Sequence, residues 1–190
     1  MIGKVYNIPP QPPVAEHTHV LPAGAVTFGV EYRDVDPESL AATYAGNEAH
    51  LTELEERSPE GGFTDEGVSI HVCGTDDGHE YVRFDVFDDE PHYHYIHRPE
   101  PAGGEVVNNV IDFDRTALGD MLPWAIERLR TRLPAMLTEA GGGHLVPQLD
   151  KALIGGVVDD VETMAAGARE AHRAAAAASA PSSSSGASTD

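Results

Sequence analysis

His92 and His94 stand one residue apart in the run Glu80 to Arg98, EYVRFDVFDDEPHYHYIHR. Alternate residues of an extended strand share a face, so both imidazoles project the same way, about 6.6 Å apart along the chain. Two such histidines and a third donor can hold zinc or iron and leave a coordination position open for water. Asp85 supplies that donor from the other arm of the same hairpin. His71 supplies another if its strand pairs beside the one carrying Asp85. The predicted metal ligands are therefore His92, His94, His71 and Asp85. The same residues also read as a polar strand face, either solvated or buried between copies of the chain.

The elements around these residues decide between the two readings. Asp88-Asp89-Glu90-Pro91 has turn composition, and Pro91 lacks a backbone donor for a sheet ladder. A tight turn there predicts Phe87 opposite His92, Asp85 opposite His94 and Arg83 opposite Ile96. Val82, Phe84, Val86, Tyr93, Tyr95 and His97 then form an apolar face. Tyr81, Arg83, Asp85, Phe87, His92, His94 and Ile96 form the polar one. Three further strands are predicted from period-two alternation, over 25–33, 68–74 and 106–114. The short links between the last four strands favour an antiparallel meander.

Asp36-Pro37 opens a helix expected to reach Arg57, with Asp36 as its N-cap. Leu118, Leu122, Ala125, Leu129, Leu133 and Met136 mark a second helix over 116–139, interrupted by Pro123 and Pro134. A third is expected over 145–175. Its Val157, Val161, Met164, Ala168, Ala171 and Ala175 alternate spacings of four and three, the pattern of a helix-pairing seam. The fold class is thus α+β: a two-layer sandwich of a five-stranded antiparallel sheet with two helices on one face, plus a C-terminal helix. Residues 1–24 read as an extended proline-rich arm, 25–140 as the domain, 141–180 as a C-terminal helical segment and 181–190 as a disordered tail.

Composition narrows the partners. The 190 residues hold 32 acidic against 12 basic side chains, a net charge of −20. Such a field repels phosphate backbones and anionic lipid, which argues against nucleic acid and membrane partners. Cys73 is the one cysteine, so an intramolecular disulfide and a multi-cysteine metal site are excluded. No apolar run has the length of a membrane span, and a cytoplasmic location is expected. Arg128, Arg130 and Arg132 stand out against the acidic background and are expected to pair with nearby carboxylates.

The run NNVIDFDRTALGDMLPWAIERLRTRLPAML, Asn108 to Leu137, resembles a family of uncharacterised small acidic proteins, mainly from actinobacteria. The resemblance covers about residues 25–140 and implies no activity, cofactor or site residue. A cupin metal motif is not met, since Val86 stands where that motif needs glycine and Arg98 and Pro99 where it needs glutamate. The favoured function is a non-enzymatic, self-associating accessory or scaffold protein that forms a homo-oligomer and carries no cofactor. The arm, the one-sided sheet and the small-residue seam offer its surfaces. One alternative is a small-ligand or metal-binding protein, extending to a metalloenzyme, using the histidine face with zinc or iron. Another is an acidic regulator that binds a basic protein partner.

Overall fold

The computed structural model describes residues 3–58, 62–98 and 106–179. A seven-stranded antiparallel sheet forms its centre, in the order β1-β7-β6-β5-β4-β3-β2. The strands are β1 (Lys4–Tyr6), β2 (His19–Ala23), β3 (Val26–Val35), β4 (Asp65–Gly74), β5 (Glu80–Phe87), β6 (His92–His97) and β7 (Val107–Asp112). From β2 to β7 the chain is a continuous meander. The link from β3 to β4 is the long one, carrying two helices, and those from β2 to β3, β4 to β5 and β5 to β6 are short.

The sheet has seven strands where five were expected. The two additional ones come from the proline-rich arm, whose sequence has no alternation to announce a strand. β1 pairs with β7 at one edge and β2 with β3 at the other. Residues 7–18 therefore cross the whole width of the sheet. Proline keeps this strap extended, because it fixes φ and cannot enter a helix interior.

The apolar face is as the alternation predicts. Val26, Phe28, Val30, Val68, Ile70, Val72, Val82, Phe84 and Val86 are buried in one core. That face is covered by α4 (Met121–Thr131), α5 (Leu133–Glu139) and α6 (Lys151–Ser179). The helix expected over 116–139 is divided in three. A short α3 (Arg115–Leu118) ends at Gly119, and Pro134 opens α5 at a position where its missing N–H costs nothing. Trp124 packs on Phe113, with ring centroids 5.0 Å apart, and on Tyr93 at 5.3 Å.

The C-terminal helix buries Ile154, Val158, Val161 and Ala165. This is the expected four-three spacing with a rotated phase: Val161 is common to both stripes, while Met164, Ala171 and Ala175 are exposed. The stripe packs on β2, β3, β4 and α4 of the same chain, so the seam works inside the molecule. Arg130 reaches across to Asp159 at 2.6 Å and Glu162 at 2.8 Å, tying α4 to α6.

The first predicted helix is two helices, α1 (Pro37–Thr43) and α2 (Glu48–Arg57). Asp36 caps α1 as expected, accepting from the Ser39 backbone N–H at 2.7 Å. Gly46 at φ +86 breaks the run, and Asn47 caps the restart. Both helices lie on the polar side of the sheet, opposite α4–α6. There Leu40 and Tyr44 join Ile8, Val35 and Phe87 in a second, smaller core, with Leu51, Leu54 and Phe63 packed against it. The arrangement is therefore three-layered, and the two-layer expectation with helices on one face is corrected. Val35 and Phe87 are apolar residues on an otherwise polar face, and they draw the amphipathic α1–α2 pair onto it. The expected tail at 181–190 and the loop at 99–105 lie outside the described residues.

Candidate functional site

Covering the polar face buries charge. Glu31, Arg33, Ser69, His71, Arg83, Asp85, His94 and Asn108 are all buried. A buried ion is tolerable only when paired and hydrogen-bonded, and these groups form two connected sets.

The first set clamps the strap. Arg83 donates to both carboxylate oxygens of Glu80, at 2.8 and 2.6 Å, and to the Gln11 carbonyl at 2.9 Å. Arg33 donates to the same carbonyl at 3.1 Å and to Gln11 Oε1 at 2.7 Å. His71 lies between two carboxylates, Nδ1 to Glu80 at 2.6 Å and Nε2 to Glu31 at 3.1 Å. A ring nitrogen facing a carboxylate must donate, so this ring is an imidazolium with both protons in place. Burial opposes that charge, but the Glu80 charge and hydrogen bonds to both carboxylates outweigh it and raise the pKa of His71. His71 is opposite Arg83 in the ladder and is fully occupied here, so it drops out of the predicted ligand set.

The folded-state pKa of His71 lies above its ordinary value of 6.5. Its contribution to stability is therefore fully present below pH 6.5 and is lost as pH rises through the folded value. Denaturant melts from pH 6 to pH 10 are expected to show the stability gap between the natural chain and His71→Gln narrowing as pH rises. A gap constant across that range would contradict an imidazolium at this position.

The second set contains the other three predicted ligands. In the hairpin, Asp85 is opposite His92 and Arg83 opposite His94. The predicted register is off by two residues because Asp85 and His92 are the last pair, so residues 86–91 lie between the paired arms where only 88–91 were expected. A slip of two keeps every side chain on its face, whereas a slip of one would have dispersed the cluster. Asp85 Oδ2 lies 2.9 Å from His94 Nε2 and 3.4 Å from His92 Nε2. One donor atom from each of the three residues falls within 4.8 Å of the others.

The outer atoms of all three side chains are held. His92 Nδ1 is 2.6 Å from the Glu90 carbonyl, which can only accept. His94 Nδ1 is 2.8 Å from Asn108 Oδ1. The Asn108 amide is oriented by its own Nδ2, which donates to the Ile8 carbonyl at 3.3 Å. The opposite orientation would set two carbonyl oxygens against each other. Ser69, directly across the ladder from Asp85, donates its hydroxyl to Asp85 Oδ1. Each imidazole therefore carries its fixed proton on Nδ1. Both Nε2 atoms converge on Asp85 Oδ2, whose partner oxygen is already engaged.

The electrostatics follow from this geometry. Burial pushes the Asp85 carboxyl up, but hydrogen bonds from His92 and His94 and the Arg83 charge hold it well below the usual carboxylate range. Burial pulls His94 down, and Asp85 offsets this only in part. Burial opposes charge on His92 as well, yet Asp85 more than compensates and raises its pKa. His94 Nε2, 2.9 Å from Asp85 Oδ2, and His92 Nε2, 3.4 Å from it, thus share one carboxylate oxygen. A metal cation would take the place of the protons on these two nitrogens.

The cluster opens onto a cavity of about 210 Å³ beneath the strap. Its polar wall includes Arg33, Arg83, Asp85, His92, His94 and Asn108, with Lys4, Glu90 and Asp112 also lining it, and Leu40, Leu54, Phe63 and Phe87 lie on its apolar side. A divalent ion held by two imidazoles and one carboxylate keeps open positions for water or a substrate oxygen. It can polarise a carbonyl or acidify bound water to a pKa near 7. Cys73 has no part in this chemistry, since burial pushes its thiol up to about 12. Glu16 and His17 are exposed on the strap, and His19 is exposed at the start of β2.

Sequence reasoning missed the supports of this site: Ser69, Asn108, Glu31, Glu80 and the strap residue Gln11. One signal was available. Asn108-Asn109 stands inside a strand, where asparagine is depleted unless its amide has a specific partner.

The chain belongs to a family defined by a domain of unknown function, DUF7700, whose match spans residues 20–165. That span contains Asp85, His92, His94, Ser69 and Asn108, and it leaves the strap outside. Neither a curated protein nor a solved structure matches the chain. No helix among the described residues is long and apolar enough to cross a membrane.

Proposed function

We propose that this chain is a metal-binding protein holding one divalent transition ion, zinc or iron(II), through Asp85, His92 and His94. Its open coordination positions face a small-molecule cavity. The observation that carries this reading is the anchoring of both imidazoles. Each Nδ1–H is committed to an oxygen acceptor, so both Nε2 atoms converge on one carboxylate oxygen, where an ion would replace their protons. Fixing the outer nitrogen in this way sets the tautomer of a metal-ligating histidine. The spacing also suits an ion. Ligands about 2.0–2.1 Å from a tetrahedral zinc lie roughly 3.3 Å apart, and the two gaps to Asp85 are 2.9 and 3.4 Å.

The scaffold reading draws on the arm, the one-sided sheet and the helix seam; of the seam, Val161 packs within the chain and Met164, Ala171 and Ala175 are exposed. Burial of the histidine face under the strap likewise removes it as an exposed surface for self-association.

Titration with Co²⁺, followed by visible absorption, tests the reading. Saturation at one equivalent per chain, with the spectrum of a nitrogen- and oxygen-ligated ion, is expected. Asn108→Ala removes the anchor of His94 but no ligand, and it is expected to weaken metal affinity by roughly 10–100-fold. Absence of a saturable spectrum in the natural chain would remove the proposal.

A further inference from the structure

We infer that the groove under the strap reads extended proline-rich segments, with residues 8–13 as its built-in occupant and a proline-rich segment of a partner protein as the ligand that displaces it. This stands apart from the metal reading and does not depend on it. The first support is how the strap is held. Residues 8–13 run Ile-Pro-Pro-Gln-Pro-Pro, and proline has no N–H to place in a sheet ladder. Such a segment is gripped through its carbonyl oxygens and its rings. The domain supplies side-chain donors for this. Asn108 donates to the Ile8 carbonyl at 3.3 Å, the Tyr44 hydroxyl to Pro9 at 2.8 Å, and Arg33 and Arg83 to Gln11 at 3.1 and 2.9 Å. These donors come from β7, the end of α1, β3 and β5, so the folded sheet builds the groove. An extended proline-rich chain is already ordered, so it docks in such a groove at low entropic cost.

The second support is that the groove reads side chains as well. Gln11 accepts from Arg33 through Oε1 at 2.7 Å, and its Nε2 donates to Thr43 Oγ1 at 2.9 Å and to the Ser39 carbonyl at 3.4 Å. Glutamate there would set a carboxylate oxygen against that carbonyl, so the amide is selected. Ile8 is 4% exposed and joins Leu40 and Tyr44 in the smaller core. The third support is the looseness of the occupant. Residues 12–17 are exposed, so the strap is gripped from one side. Its N-terminal hold is the three-residue β1, where the Lys4 and Asp112 side chains of the one ion pair are 60% and 71% exposed. Edge segments of this kind open locally at a small fraction of the global cost. The side chains that read the strap lie inside the family domain and the strap lies outside it, so the groove is the fixed part and its occupant the exchangeable one.

The test is fluorescence anisotropy of a labelled peptide, Ile-Pro-Pro-Gln-Pro-Pro, against the full chain and its Gln11→Ala variant. In the natural chain the strap competes at an effective concentration on the order of millimolar, so the peptide binds weakly. Gln11→Ala removes the side-chain hydrogen bonds of the occupant and leaves the groove untouched. Peptide affinity is expected to rise by about tenfold or more. Ile8→Ala, which loosens the occupant through its apolar anchor, is expected to give a gain in the same direction. Peptides with the glutamine replaced by glutamate, or with the same residues as Pro-Gln-Pro-Ile-Pro-Pro, are expected to bind about tenfold more weakly or worse. Hydrogen exchange on the peptide-bound chain is expected to show β1 losing protection as the strap leaves. No binding by either loosened variant overturns the inference, and so does equal binding of the reordered peptide. Binding that leaves β1 protected would place the peptide elsewhere and overturn it as well.

Discussion

Asp85→Asn is expected to empty the metal site while leaving the fold intact. The substitution keeps the size of the side chain and removes the charge that balances the ion. The carboxamide no longer offers a negative charge to His92, His94 and Arg83, the groups that hold the Asp85 carboxyl below its usual range. Zinc affinity should fall by at least the roughly 100-fold that marks the upper end for an outer-sphere support, because here a ligand itself is lost. The melting temperature without metal should fall as well, because a carboxyl held below its usual range contributes stability near neutral pH that the carboxamide lacks. The expected signature is thus a loss of the metal-induced rise in melting temperature on top of a lower basal value. Isothermal titration and thermal melts, with and without zinc, read both quantities. Undiminished zinc binding would place the ion elsewhere.

Arg83→Met is expected to destabilise the chain more than any single change at the metal ligands. Arg83 is 2% exposed and serves two groups at once. It engages Glu80 with two hydrogen bonds, and it holds the strap through the Gln11 carbonyl. Truncating it leaves a buried carboxylate with His71 as its main partner. Breaking such a pair from one side costs about 3–5 kcal/mol. For a domain of this size that corresponds to a fall in melting temperature of roughly 10 °C or more. The double substitution Arg83→Met/Glu80→Gln should recover part of the loss, since it removes the orphaned charge as well as its partner. A fall under about 1 kcal/mol would show that water reaches Glu80 and that the strap does not seal this face.

The legibility of this chain in its sequence follows the range of each signal. Strand alternation is a local property. Val26 to Val30, Val68 to Val72 and Val82 to Val86 accordingly declared both the strands and the face they bury. The shared face of Asp85, His92 and His94 was legible for the same reason, and it survived a misjudged turn because the error was an even number of residues. The strap was not legible. β1 is a three-residue edge strand whose pairing is decided by β7, about a hundred residues along the chain, and β2 is a short arm of a hairpin with β3 whose Val20, Leu21 and Pro22 show no alternation. The side chosen by α1 and α2 was hidden for a related reason. It depends on Val35 and Phe87, two apolar residues on a polar face, finding Leu40 and Tyr44 from another element.

His71 illustrates the remaining limit. Its type and strand position suit a ligand, but its function is fixed by Glu31 on β3 and Glu80 on β5, which meet it only after the sheet has formed. Asn108 is the converse case. The Asn108-Asn109 pair marks a position that needs partners but does not name them, and the two hydrogen bonds of Asn108 connect the strap to the orientation of His94.

Native mass spectrometry of the tag-free chain, with elemental analysis of the same sample, tests the metal centre most directly. One zinc or iron per chain is predicted, absent from the His92→Ala/His94→Ala double variant. A chain that is metal-free as purified, and stays so after one equivalent of zinc or iron(II) is added, would contradict it.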